Sequence, residues 1–305
     1  MSILGLQEGG WATRAVSVQR IVDLEAGFED LRRRGLLTAR VYETCAKYFA
    51  FELPQRSPAA QSLVIAARSS PKVRVVFDVL GVQRPFSVPP TYSSHSAVDA
   101  EARELLAERD RDRVFQVDRA RLPLKLLAAC SGLGLYGRNN VLFVAPMGSF
   151  HQLAAFYTDE VAPEQSWEEP LAMARCQDCT ACAAACPTGA ILRDRFLLRT
   201  ESCLTLLNEE PGEFPDWVPA SAHNCPIGCL RCQIVCPENR AVANEVGATV
   251  TFDETETQAL LAGVTAEQLT PDMLERLKSA GLDEYLPVLP RNLSALFADA
   301  DAKAL

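Results

Sequence analysis

The chain has 305 residues, 48% hydrophobic and 23% charged, with a formal net charge of −9; that length allows about two domains with a sizeable core. The acidic balance excludes broad binding to nucleic acid or anionic membranes and leaves room only for a local basic patch that contacts RNA. No run of 18 apolar residues occurs, and Met1 to Glu8 lack a basic stretch followed by an apolar core, so neither a membrane span nor an export signal is expected.

In chain order, residues 18–34 carry Val18, Ile21, Val22, Leu24, Phe28 and Leu31 on a helical stripe, with Ser17 as cap and Gly35 as stop. Cys45 falls in a further helical segment, where a small buried hydrophobe is the simplest role. Residues 62–67 and 73–77 read as strands, and 73–88 as a hairpin turning at Gly81. A helix over 97–109, a solvated turn at 111–113, a helix over 122–130 and a buried strand over 141–145 follow. Strands mixed with helices throughout 1–171 predict an α+β (α/β) domain.

Gly132, Gly134 and Gly137 spell G-x-G-x-x-G, with Asp159 downstream. A dinucleotide site needs a strand before these glycines and a helix after them, so that phosphate meets a helix N-terminus. Here the order is helix first and strand second, which argues against nicotinamide binding. The glycines instead let the backbone approach something closely, either a packed neighbour or a flat cofactor.

The centre of the sequence is a pair of cysteine runs. Cys176, Cys179, Cys182 and Cys186 form C-x2-C-x2-C-x3-C followed by Pro187; Cys225, Cys229, Cys232 and Cys236 repeat it with a longer first interval before Pro237. The first spacing is that of bacterial ferredoxins, in which the fourth cysteine ligates the other cluster of a pair. Short gaps let successive thiolates wrap one cube while intervening N–H groups face its sulfurs, and the proline lets the chain leave. A tetrahedral zinc site would use paired C-x2-C without this triple spacing and proline. A disulfide framework suits short secreted chains. Eleven cysteines in this setting point to a reducing cytoplasm and to two 4Fe-4S clusters.

Between the runs, residues 190–192 and 196–198 read as a short hairpin around Arg193 and Asp194; Cys203 follows, and 211–226 is a proline-rich loop. The insertion is long enough to recruit Cys203 as a ligand. Arg175, Arg193, Arg195, Arg199, Arg231 and Arg240 surround the cysteines, where positive charge offsets anionic clusters. Beyond residue 250 the pattern is helical: Asp253 caps 254–262 before Gly263, Thr270 and Pro271 open 271–280 before Gly281, and a short helix starts near Pro290. Packing on the cluster domain is the expected role of this tail.

With these motifs in view, the chain resembles the epoxyqueuosine reductase family and its relatives, the corrinoid reductive dehalogenases. The residues that carry the resemblance are Val117 and Asp118, the 126–140 stretch, Val141 to Phe143, Gly148 to Phe150, Phe156 to Asp159 and both cysteine runs. It covers about residues 115–240, whereas 1–110 do not match that family's usual N-terminal sequence. The resemblance implies a nitroreductase-like domain over 1–171 that holds cobalamin, a bacterial ferredoxin-like double-cluster domain over 172–245 and a helical tail over 246–305. It implies that one cluster takes Cys176, Cys179, Cys182 and Cys236, and the other Cys186, Cys203, Cys229 and Cys232, leaving Cys225, Cys45 and Cys130 spare. Ferredoxin arithmetic offers Cys225 in place of Cys203. By the same resemblance Asp118 is the proton donor in substrate reduction, and helix capping is its alternative role. The resemblance also implies that Gly132, Gly134, Tyr136, Gly137, Arg138 and Asn139 stand beside the corrinoid.

Arg121 and Leu124 occupy positions where the family usually has proline and a carboxylate. His95, His151 and His223 are not assigned as cobalt ligands. The expected activity is a reductase fed by an external ferredoxin or flavodoxin, with a tRNA among the candidate substrates. A ferredoxin-type carrier, or an activator of another corrinoid enzyme without its own corrinoid, is the alternative.

Overall fold

A computed structural model describes residues 10–92, 98, 100–102, 104, 119–162, 167–195 and 197–304. Its strands are β1 (Trp11–Ser17), β2 (Ser62–Ser69), β3 (Lys72–Val79), β4 (Val82–Val88), β5 (Leu135–Tyr136), β6 (Leu142–Phe143), β7 (His151–Thr158) and β8 (Val246–Phe252). Its helices are α1 (Ile21–Arg33), α2 (Ala39–Tyr48), α3 (Leu124–Cys130), α4 (Ala181–Ala185), α5 (Leu204–Glu209), α6 (Arg231–Ile234), α7 (Glu254–Ala262), α8 (Pro271–Ala280) and α9 (Leu289–Ala304). The chain divides into two compact units that interleave in sequence. One comprises Met1–Ser69, His95–Cys179 and Arg195–Leu197, the other Ser70–Ser94, Thr180–Asp194 and Leu198–Leu305. Among the described residues no helix is long and apolar enough to cross a membrane.

The first unit is built on an antiparallel sheet in the order β1-β2-β7. Strand β2 is central and buried on both faces, with Leu63, Ile65 and Ala67 in one apolar cluster and Val64 and Ala66 in another. A strand covered on both sides needs no polar alternation, which is why its sequence is one apolar run. Helix α1 buries Ile21, Leu24 and Phe28, and Ser17 caps the turn that leads into it. Val22, counted on the same stripe, points away and is 68% exposed. The strand expected over 141–145 shortens to Leu142–Phe143, because the Val144 N–H donates to the carbonyl of Gly148 and turns the chain. Of the helix expected over 97–109, residues 98, 100–102 and 104 are helical; the rest, and the 111–113 turn, lie outside the described residues.

The second unit carries a mixed sheet in the order β4-β3-β8. Leu80 and Gly81, both at positive φ, close the β3–β4 hairpin as its sequence predicts. Strand β8 then pairs in parallel with β3, so the hairpin shares a unit with the tail. Phe77 stacks on Phe252 at 5.4 Å within a cluster that includes Leu277, Leu289 and Leu293. The tail helices have the expected ends: Asp253 and Glu256 form a capping box, Thr270 caps α8, and Gly263 and Gly281 adopt the left-handed conformation. The last helix, expected to be short, runs for 16 residues.

Helix α9 is tied to the cysteine segment by two buried side-chain bonds. Asn292, 0% exposed, donates to the carbonyls of Asn208 (2.9 Å) and Pro226 (2.8 Å). Asn292→Ala should therefore cost about 1–3 kcal/mol, since the Pro226 carbonyl loses this donor while the Asn208 carbonyl keeps Arg291 Nη2 at 3.4 Å. A lowered urea midpoint with earlier loss of iron absorbance is the expected result; a midpoint within about 0.5 kcal/mol of wild type would show that the two bonds carry little.

Candidate metal centre

The two cysteine runs fold alike. Cys182 lies in α4 and Cys232 in α6, and these short helices pack against each other. Each run ends on a Cys–Pro step: Cys186 has ψ 113° and Cys236 ψ 124°, both extended. A residue before proline is driven out of the helical region, so the proline stops the short helix and leaves the cysteine beyond its end. Cys203 has the same extended backbone, ψ 125°, as the residue that precedes α5. The hairpin expected around Arg193 is not formed among the described residues; Arg199 N–H closes a loop onto the Ala190 carbonyl instead.

Cys176 and Cys179 belong to the first unit, and Cys182, Cys186, Cys203, Cys225, Cys229, Cys232 and Cys236 to the second. None of these cysteines is in a disulfide. Burial pushes the Cys229 thiol up, with the charges of Cys203 and Cys186 adding to it, while the Asn224 amide and the Arg231 N–H pull the other way. Cys203 is likewise raised by burial and by Cys186, against N–H donation from Thr205 and Leu206. Cys186, Cys203 and Cys229 are thus electrostatic neighbours. Such thiols ligate only as thiolates, so a cationic cluster core with surrounding N–H donors is the chemistry this donor set suits. In the first unit, Arg138 N–H donates to Cys176 Sγ at 3.4 Å.

Cys225 is placed differently. It is 1% exposed, its S–H donates to Asn224 Oδ1 at 3.2 Å, and burial raises its pKa well above the ordinary thiol value. Cys130 is also buried, with its pKa raised to about 11, chiefly by burial. Cys45, on α2, is raised by burial as well.

The glycine stretch is packed by its own chain. A Cβ on Gly134 would lie 2.6 Å from the Phe143 carbonyl, and one on Gly137 2.6 Å from the Phe143 ring. Gly132, at φ +72° after α3, has open space instead. The Tyr136 ring is buried in the core, and its backbone bonds to Leu171 and Met173. The Arg138 guanidinium donates to the carbonyls of Cys176, Gln177 (3.2 Å) and Cys179 (3.2 Å). Asn139 Oδ1 accepts from Val141 N–H at 3.3 Å.

Asp118 and Val117 lie outside the described residues, as does His95. His151 is buried, donates from Nε2 to the Leu142 carbonyl at 3.1 Å, and is held neutral by burial, which lowers its pKa to about 4. His223 packs against Phe214, with ring centroids 4.4 Å apart and the planes tilted by 56°. Sequence reasoning missed Asn224, whose Nδ2 donates to Cys229 Sγ at 3.2 Å; its one signal was a short polar side chain abutting a cysteine run.

The class of the site follows from this geometry and from comparison. Residues 175–239 match the family described as a 4Fe-4S double cluster binding domain, which assigns iron–sulfur clusters to the segment. More particularly, the chain is similar to epoxyqueuosine reductases. It is 38% identical over 129 residues to that of Cyclobacterium marinum, a match covering 42% of this chain and 40% of the relative, well under two thirds of either. The fold is similar to the solved epoxyqueuosine reductase of Streptococcus thermophilus, with a TM-score of 0.66 and 19% identity over 94% of this chain and 77% of that one. An epoxyqueuosine reductase solved with a tRNA-Tyr epoxyqueuosine-modified stem loop gives 0.58 and 19% over 96% and 78%. At that identity the likeness is one of fold, and it extends through the N-terminal region whose sequence departs from the family.

The packing of Gly134 makes a direct prediction. Gly134→Ala should destabilise the protein by about 1–3 kcal/mol, because its methyl meets strand β6. The loss should read as a lower urea midpoint with or without added cobalamin; a wild-type midpoint would mean that β6 yields.

Proposed function

We propose that this chain is an iron–sulfur reductase related to the epoxyqueuosine reductases, working in the cytoplasm and fed by an external low-potential ferredoxin or flavodoxin. The observation that carries the reading is the doubled C-x2-C-x3-C-P arrangement, together with N–H donors to Cys176 from Arg138, to Cys229 from Asn224 and Arg231, and to Cys203 from Thr205 and Leu206. Cys176, Cys179, Cys182 and Cys236 would hold one cluster, and Cys186, Cys203, Cys229 and Cys232 the other. When bound, the clusters supply single-electron transfer. The chain's own part is to hold the thiolates, to donate hydrogen bonds to their sulfurs and to bury them from water. In this reading 1–171 is the nitroreductase-like catalytic domain, 172–245 the cluster domain and 246–305 its supporting tail. Tail support agrees with the bonds of Asn292 to Asn208 and Pro226.

Cys203 is our eighth ligand in preference to Cys225. It neighbours Cys186 and Cys229, whereas the Cys225 thiol is spent on Asn224. Cys203→Ala should lose iron and sulfide from one cluster, and Cys225→Ala should keep both complements. The reverse pattern in an anaerobic iron and sulfide assay overturns the assignment.

Cobalamin is the finer part of the proposal and rests on the resemblance of residues 126–140 to the family. The substrate to test first is an epoxyqueuosine-modified tRNA stem loop, since a structural relative was solved with one. Asp118 is the proposed acid, because reducing a carbon centre by two electrons requires a proton. A carrier or activator without its own corrinoid is the second reading, favoured by the covered faces of Gly134 and Gly137. Anaerobic protein mixed with cob(II)alamin separates the two. A base-off electron paramagnetic resonance signal that survives desalting supports the reductase, and an unbound-cofactor spectrum supports the carrier. Asp118→Asn should retain the clusters and lose turnover; full turnover removes Asp118 as the acid.

A further inference from the structure

Asn224 stands outside the cysteine motifs, yet all four bonding positions of its amide are used around the second cysteine loop. Oδ1 accepts from Leu230 N–H at 3.0 Å and from Cys225 S–H at 3.2 Å. Nδ2 donates to the Ala222 carbonyl at 3.0 Å and to Cys229 Sγ at 3.2 Å. A backbone N–H only donates and a backbone carbonyl only accepts. Leu230 and Ala222 together therefore permit one orientation of the amide, and that orientation turns an N–H toward Cys229.

We infer that Asn224 is a positioning residue for the cluster that Cys229 ligates: its amide donates to the ligating sulfur and raises that cluster's reduction potential, while its other end accepts from Cys225. The inference rests on the 4Fe-4S reading of the thiols. Its physical basis is that the electron taken from the external donor adds negative charge, which spreads onto the thiolate sulfurs. An N–H dipole aimed at one of them stabilises the reduced state more than the oxidised one. The same side chain also distinguishes two cysteines four residues apart. Cys229 faces the donor end of the amide and Cys225 the acceptor end.

Asn224→Asp tests this in the full-length, cluster-loaded protein. It keeps the shape and the acceptor for Leu230 but replaces the donor facing Cys229 with carboxylate oxygen. In a redox titration followed by electron paramagnetic resonance, the midpoint of one cluster should fall and that of the other should stay at its wild-type value. Asn224→Ala, which removes the donor without adding charge, should move the same midpoint in the same direction by less. Two unchanged midpoints in a variant with full iron and sulfide overturn the inference, as does an equal shift of both, which signifies general loosening. Wild-type protein that holds no sulfide would instead overturn the cluster reading beneath it, so the two failures are distinguishable.

Discussion

Much of the backbone between and around the cysteines lies outside helix and strand, so its polar groups must find partners outside regular ladders. That constraint organises the second unit. Three asparagines serve the second cysteine loop, each from a different part of the chain. Asn208, at the end of α5, donates to the Gly228 carbonyl at 2.8 Å. Asn292, on α9, donates to that of Pro226, and Asn224 caps Leu230 from within the loop. Gly228 sits at φ +67° with the Tyr92 ring against its α-carbon, a position that excludes any side chain. These contacts tie the irregular backbone of the loop to its surroundings.

The tail is part of this support. Arg291 extends the same contact, donating to the Leu207 carbonyl at 2.8 Å and lying 3.9 Å from the Phe214 ring. Phe214 in turn packs against His223, so the proline-rich insertion is clamped although it has little secondary structure of its own. Strand β8 joins β3 and brings the 72–88 hairpin beneath α7, α8 and α9. The cluster segment thus rests on a core contributed by residues far away on either side of it in the chain.

In the first unit the glycine-rich stretch is closely packed. Gly134 and Gly137 admit strand β6, and Arg138 secures the first cysteine run by donating to its carbonyls and to the Cys176 sulfur. Arg138, one of the residues that resemble a cofactor lining, is on this geometry also the one that bonds to the first cysteine run. A resemblance in sequence can therefore reflect the scaffold of a cluster site as much as the walls of a substrate pocket.

The sequence by itself determined the features that rest on local chemistry. Cys–Pro steps stop two short helices at Pro187 and Pro237, the Asp253 and Thr270 caps and the Gly263 and Gly281 stops bound the tail helices, and Gly81 turns the hairpin. Each is decided within a few residues, so composition and spacing suffice. Tertiary structure alone decided the parallel pairing of β3 with β8, the length of α9, the outward turn of Val22 and the different placements of Cys203 and Cys225. Those outcomes depend on which distant group arrives to fill a face or accept a hydrogen bond, and neighbouring residues in the chain do not encode that.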